Sequence, residues 1–116
     1  MADNLEDYEN FRKDMNEEIL ACGHLGIKRF FALDHQAYEE GALPVKTKAL
    51  LGLVASAVLR CDDCITYHVQ RCAEVGWKRH EVIDALNIVL IVGGSITIPH
   101  VRRALARMRE IPALKA

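Results

Sequence analysis

The chain has 116 residues, of which 51% are apolar and 27% charged, and its formal net charge is −1. That is one domain of ordinary size at the apolar edge of the globular range, and so even a balance of charge gives no support to nucleic acid or an anionic membrane as a main partner. A domain this small leaves much apolar surface in water unless a partner covers it, so a homo-oligomer is expected.

The acidic, polar start, Met1 to Asn10, has neither the basic nor the apolar region of a signal peptide. From there the pattern predicts helix nearly throughout, with prolines only at Pro44, Pro99 and Pro112 and no alternating β-branched run. The first helix, about Asn4 to Leu20, is amphipathic and charge-rich, with Asp3 or Asn4 as its N-cap. Cys22-Gly23-His24-Leu25-Gly26 breaks it. A second helix, about Lys28 to Glu40, carries Phe30, Phe31, Leu33, Ala37 and Tyr38 and ends at Gly41. Pro44 opens a third, about Val45 to Leu59, in which Leu50, Leu51, Val54, Ala57 and Val58 recur at helical spacing. It is apolar around most of its circumference and reads as a central buried helix.

Residues 60–62 form the joint to a fourth helix, which runs through Cys64 and His68 and stops at Gly76, with Trp77 folding back onto it. A fifth, about Arg79 to Val92, has Val82, Ile83, Leu86, Val89 and Leu90 as its core stripe and ends at Gly93-Gly94. The sixth, about Ser95 to Arg109, begins or is interrupted near Pro99, and Arg102, Arg103, Arg107 and Arg109 suit its C-terminus electrostatically. The tail after Pro112 is expected to be loose. The longest apolar runs, Leu50–Leu59 and Ala85–Val92, are too short to span a bilayer, so a cytoplasmic protein without a membrane partner is expected.

The chemically specific stretch is Cys61-Asp62-Asp63-Cys64-Ile65-Thr66-Tyr67-His68. In a reducing compartment a CxxC reads as catalytic or metal-binding rather than as a structural staple. At about 100° per helical residue, Cys61, Cys64 and His68 fall within roughly 60° of one another, and Cys72 continues the stripe. Cys64 and His68 are an i,i+4 pair, so the imidazole is placed to take the Cys64 proton. The helix N-terminus also favours a thiolate there. Asp62 and Asp63 oppose it by their charge.

Zinc is the competitor, but a structural site wants four ligands and no second CxxC or His-x-His pair is present. Cys22 and Cys72 read as packing residues. His80 reads as a solvated surface group, and His100 as a surface or interface histidine or a second polar group near the thiols. Gly93-Gly94 permits a tight turn, since the Lys-Ser/Thr of a phosphate-binding loop is absent.

Lys46-Thr47-Lys48, the apolar helix that follows, Arg60 through His68, Gly76 and Gly93-Gly94-Ser95 together resemble the carboxymuconolactone decarboxylase family. The similarity is greatest to its AhpD-like alkylhydroperoxidase branch and covers residues 43–109 of what reads as a single domain over 1–116. The resemblance implies an all-α, AhpD-like bundle of about six helices that assembles as trimers or hexamers. It implies reduction of a hydroperoxide or disulfide substrate by the two cysteines, with no bound cofactor and with electrons from an external dithiol on a lipoyl or thioredoxin-like protein.

Carried over, Cys64 is the peroxide-attacking thiol, Cys61 the resolving one and His68 the proton-relay histidine. A thioredoxin analogy would reverse the cysteines, but proximity to the base favours Cys64. One position departs from the pattern. The family's relay glutamate, twelve residues before the first cysteine, is here Ala49. Glu17, Glu18, His100 or water would have to replace it. Without a replacement the chain would be a weak peroxidase acting mainly as a disulfide exchanger. The alternatives are a redox-sensing or non-catalytic binding module. Lactone decarboxylation is disfavoured, because decarboxylases of this fold lack the CxxC pair.

Overall fold

The computed structural model describes residues 4–116. They form six helices: α1 Leu5–Ala21, α2 Leu25–Ala37, α3 Val45–Val58, α4 Asp62–Glu74, α5 Arg79–Gly93 and α6 Ile98–Arg109. Short 3-10 turns at Ser95–Thr97 and Pro112–Leu114 flank α6, and no strand occurs among the described residues. The fold is all-α. Among the described residues no helix is long and apolar enough to cross a membrane.

The helix boundaries follow from local chemistry. Asn4 caps α1 by accepting the Asp7 N–H at 2.8 Å while the Asp7 carboxylate takes the Asn4 N–H, a reciprocal capping box. The alternative cap, Asp3, lies outside the described residues. The α3–α4 joint is a Schellman turn. Arg60 takes a left-handed φ of 62°, its N–H bonds the Ala57 carbonyl at 3.1 Å, and the Cys61 N–H bonds the Ser56 carbonyl at 3.1 Å. A β-carbon disfavours that φ. Arg60 nevertheless holds it, which brings Cys61 directly from the end of α3 to the N-cap of α4. The other end of α4 closes in the same way, with Gly76 at φ 95° and the Trp77 N–H on the Cys72 carbonyl at 2.9 Å.

The core lies between α3, α4, α5 and α6. Leu53, Ala57, Ile65, Val69, Cys72, Val82, Val89, Ala104 and Met108 are all fully buried. Each large aliphatic side chain so buried contributes about 1.5–3 kcal/mol. α3 is central but not buried all round. Its inward face is Ala49, Gly52, Leu53, Ser56 and Ala57, while Leu51 on the predicted stripe is half exposed. In α5 the stripe holds at Val82, Leu86 and Val89, and Ile83 points outward. Trp77 packs against the core, with its indole N–H on the Lys46 carbonyl of α3 at 2.7 Å.

The tail is not loose, because Leu114 is fully buried and its carbonyl accepts the Arg79 guanidinium at 3.0 Å. An apolar residue that can reach the core gains more from burial than a short tail loses in chain freedom. Arg107 stands in the last turn of α6, as its charge suits, and is buried there. It is 4% exposed and donates to the Thr66 hydroxyl at 3.2 Å and to Glu110 at 3.2 Å.

The two N-terminal helices differ from the rest. α1 buries only Leu5 and α2 buries no residue. Phe30 and Leu33, two of the apolar residues that α2 carries, are 68% and 65% exposed. α2 also starts and ends three residues earlier than expected, so Tyr38 leaves the helix as its C-cap. Polar contacts dock α1: the Leu5 N–H on Glu110 at 2.9 Å, the Tyr8 hydroxyl on the Asp63 carbonyl at 2.9 Å, and the Gln70 amide on Glu9 at 2.7 Å.

Candidate active site

Cys61 and Cys64 are joined by a disulfide across the first turn of α4, with Cα atoms 5.3 Å apart. Cys61 is the helix N-cap. Its Sγ accepts the Cys64 N–H at 3.3 Å and its carbonyl accepts the Ile65 N–H at 2.9 Å. The Cys64 amide and the positive end of the helix dipole therefore stabilise negative charge at the Cys61 sulfur when the bond opens. Cys64 is exposed and Cys61 half-buried, so an incoming group reaches the Cys64 sulfur more readily.

Asp62 does not face the sulfurs. Its carboxylate is held by His100 Nδ1 at 2.8 Å and by Arg103, both from α6. That pairing offsets a charge that would otherwise oppose a thiolate beside it. Asp63 is exposed, and its carbonyl is occupied by Tyr8.

His68 is buried against α3, and the reason is Gly52. A β-carbon at that position would lie 2.5 Å from the imidazole Cε1 and 2.7 Å from Nδ1. Glycine thus provides the seat into which the ring fits. Nδ1 is buried without a hydrogen-bond partner, and Nε2 faces the Tyr38 hydroxyl at 3.4 Å. Neither nitrogen bonds a sulfur in this oxidised state. Burial lowers the His68 pKa, partly opposed by the negative charge of Asp34. The imidazole is therefore neutral at pH 7 and free to accept a proton.

A stability prediction follows from that burial. The unfolded imidazole binds a proton near pH ~6.5, whereas the folded one does so only at lower pH. The unfolded state then holds more protons in the window below about 6.5, so the His68 contribution is full above that value and is lost as pH falls through the window. The urea midpoint is expected to drop between about pH 7 and pH 5.5, with part of the drop absent in His68→Gln. Identical slopes in the two proteins would contradict it.

Tyr38, His68 and Cys64 open onto one cleft of about 390 Å³, walled on its α1 side by Tyr8, Phe11, Met15 and Ile19. A larger adjoining cleft of about 640 Å³ shares Arg12, Asp34, Tyr38 and Tyr67 but is lined by neither sulfur nor His68. A gap of about 10 Å³ separates Ala49 from Tyr38, Tyr67 and His68, roughly the volume one water occupies. Glu17 and Glu18 are exposed on α1 and His100 is committed to Asp62, so none of the three hydrogen-bonds the imidazole. Tyr38 does so instead.

Cys72, fully buried further along the stripe, has its thiol pushed up to about 12 by burial and is inert as a nucleophile. Cys22 is free and exposed. Among the described residues no group of three or more His, Cys, Asp or Glu side chains is placed to hold a metal ion.

The sequence brings out Cys61, Cys64 and His68; the structure places the two cysteines at the start of α4 and His68 one turn further along it, with Cys64 and His68 on one cleft. It does not bring out Gly52 or Tyr38. A lone glycine inside an apolar helix is itself a signal of close approach. Tyr38 carries no such signal, because its place depends on where α2 stops.

Comparison with known proteins bears on the family and the fold. The sequence profile described as "Carboxymuconolactone decarboxylase family" matches residues 27–107. Two crystal structures of one Thermotoga maritima protein superpose with TM-scores of 0.88 and 0.86 at 52% and 51% identity. The first covers 91% of this chain and 93% of the other, and the second 90% and 89%. The second is described as a carboxymuconolactone decarboxylase family protein, with a suggested part in antioxidative response. An uncharacterized protein of the cox locus of Paracoccus denitrificans is 28% identical over 82 residues, 71% of this chain and 74% of that protein.

Proposed function

The chain belongs to the carboxymuconolactone decarboxylase family, and from that membership we propose that it is a thiol-dependent peroxidase and disulfide oxidoreductase of the AhpD-like branch. The observation that carries this reading is the Cys61–Cys64 disulfide at the N-terminus of α4, with the Cys64 side on the cleft that also holds His68.

In the reduced protein the Cys64 proton passes to neutral His68, leaving a thiolate at the helix N-terminus. The thiolate attacks the terminal oxygen of a hydroperoxide. An S–O bond forms, the O–O bond breaks, and the alkoxide leaves with the proton that His68 held. The Cys61 thiol then displaces hydroxide from the Cys64 sulfenic acid, giving water and the disulfide seen here.

An external dithiol, on a lipoyl or thioredoxin-like partner, restores the pair by attacking the exposed Cys64 sulfur. Cys61 leaves as the thiolate that the Cys64 N–H stabilises, and a better-stabilised thiolate leaves faster. The charge compensation of Asp62 by His100 and Arg103 supports the thiolate steps. Assembly into a homo-oligomer belongs to the same reading, supported by the outward Phe30 and Leu33 of α2 and Ile88 and Ile91 of α5. Lactone decarboxylation has no use for the disulfide and would continue with both cysteines replaced.

The test is stoichiometric. Protein reduced by dithiothreitol and freed of excess is mixed with one equivalent of tert-butyl hydroperoxide. Loss of the Cys61 and Cys64 thiols with release of the alcohol is expected, together with far faster consumption than by free cysteine. Consumption no faster than by free cysteine would contradict the peroxidase reading.

A further inference from the structure

The geometry points to Tyr38 as the proton carrier between His68 and the reacting group in the cleft. This deepens the peroxidase reading and rests on it.

His68 has two ring nitrogens through which a proton could pass. Nδ1 is buried, partnerless and turned toward Gly52. Only Nε2 has a hydrogen-bond outlet, and the group it meets is the Tyr38 hydroxyl at 3.4 Å. That distance is at the long end for a hydrogen bond, as is common for a catalytic contact without substrate. The Tyr38 side chain in turn lines the cleft shared by Cys64 and His68. A proton that moves between the imidazole and the cleft along hydrogen bonds therefore passes through the phenol oxygen.

The hydroxyl is held there by the backbone. The Lys48 ammonium, on α3, donates to the Ala37 carbonyl at 3.0 Å and to the Glu39 carbonyl at 2.7 Å, gripping the chain on both sides of Tyr38. The ring also packs on the imidazole, with centroids 5.4 Å apart. Burial raises the Tyr38 pKa, with Asp34 adding to the rise, so the phenol stays protonated at pH 7 and acts by exchange rather than as a phenolate.

The step balances as follows. When the Cys64 thiol ionises, Tyr38 gives its hydroxyl proton to Nε2 and takes the thiol proton in return. The thiol has become a thiolate, the imidazole an imidazolium, and tyrosine is unchanged. When the O–O bond breaks, Tyr38 gives its proton to the leaving alkoxide and is refilled from Nε2. The net result is one proton moved from sulfur through His68 to the product alcohol.

Tyr38→Phe keeps the ring and its packing and removes only the oxygen, so it isolates this role. Three measurements on the reduced protein test it. Single-turnover oxidation by tert-butyl hydroperoxide is expected to slow by about 10- to 100-fold, toward the low end of what a positioned proton donor supplies. Alkylation of Cys64 by iodoacetamide at about pH 9.5, where the thiol ionises to solvent without the relay, is expected to change by less than about 3-fold, because iodide departs without a proton and needs no acid. In a His68→Gln background, adding Tyr38→Phe is expected to cost nothing further, since the two residues act in series.

A damaged fold would slow both reactions and would add to His68→Gln; that pattern overturns the proposal. Oxidation of Tyr38→Phe as fast as that of the wild type overturns the Tyr38 role alone. A wild-type protein oxidised no faster than free cysteine overturns the peroxidase reading, and the Tyr38 role with it.

Discussion

Cys64→Ser is expected to lower dithiol-dependent hydroperoxide consumption by at least about 10³-fold, with the helix content and melting temperature nearly unchanged. The activity term is large because serine has no accessible anion at neutral pH, so neither His68 nor the helix N-terminus can convert it into the nucleophile. The stability term is small because Cys64 is exposed and its side chain packs against nothing in the core. The disulfide closes a loop of only three residues in sequence separation, so its loss removes little chain entropy from the unfolded state. Peroxide assays coupled to dithiol oxidation, beside thermal melts, check both halves. Wild-type consumption in the serine variant would remove Cys64 from the mechanism.

Gly52→Ala has the second large effect, and its sign depends on His68. In an ordinary helix interior the change from glycine to alanine stabilises by about 0.5–1 kcal/mol. Here the added β-carbon would lie 2.5 Å from the imidazole, well inside contact distance. The ring cannot swing away cheaply, because His68 is buried and its helix is fixed on either side by fully buried Ile65, Val69 and Cys72. Overpacking of this kind costs about 1–3 kcal/mol and outweighs the helix gain. A fall in melting temperature of about 4–8 °C per kcal/mol lost is expected. Peroxidase activity should fall in parallel, since the ring moves off Tyr38. In a His68→Ala background the clash is gone, and the same Gly52→Ala change is expected to raise the melting temperature. A stabilising effect in the wild-type background would show that the imidazole does not depend on the glycine seat.

These two positions show what the sequence could and could not reveal. Cys61, Cys64 and His68 were legible because their relation is local. A cap and one turn of helix fix it, and α4 begins and ends where its cap and Gly76 place it. Leu51 and Ile83, on the apolar stripes of α3 and α5, face outward because apolar residues recur on more than one side of these helices, and periodicity alone cannot choose between sides. In the sequence Tyr38 is one more residue at the end of an apolar helix pattern. Its use depends on the helix ending at Ala37 and on Lys48 reaching back from α3 to grip the turn, a tertiary event with no local mark. Arg107 does stand at the end of α6, but nothing local marks it as buried. Its burial is set by Thr66 and Glu110, which only the packing of α6 on α4 brings to it.

The sequence also posed a question that geometry narrows. Ala49 lacks the carboxylate of the relay that the family resemblance implies, and the space beside it admits no more than about one water. The hydrogen-bonding partner of His68 comes instead from the turn after α2. The group beside the imidazole thus comes from a different element, while the dithiol and the histidine lie along α4.

The measurement that bears most directly on the account is the site of first oxidation. Cys61→Ser, reduced and treated with one equivalent of tert-butyl hydroperoxide in the presence of a sulfenic-acid trap, should carry the trap on Cys64 in peptide mass spectra. Cys64→Ser treated alike should carry none on Cys61. Trapping on Cys61 rather than Cys64, or on neither while peroxide is consumed, would contradict it.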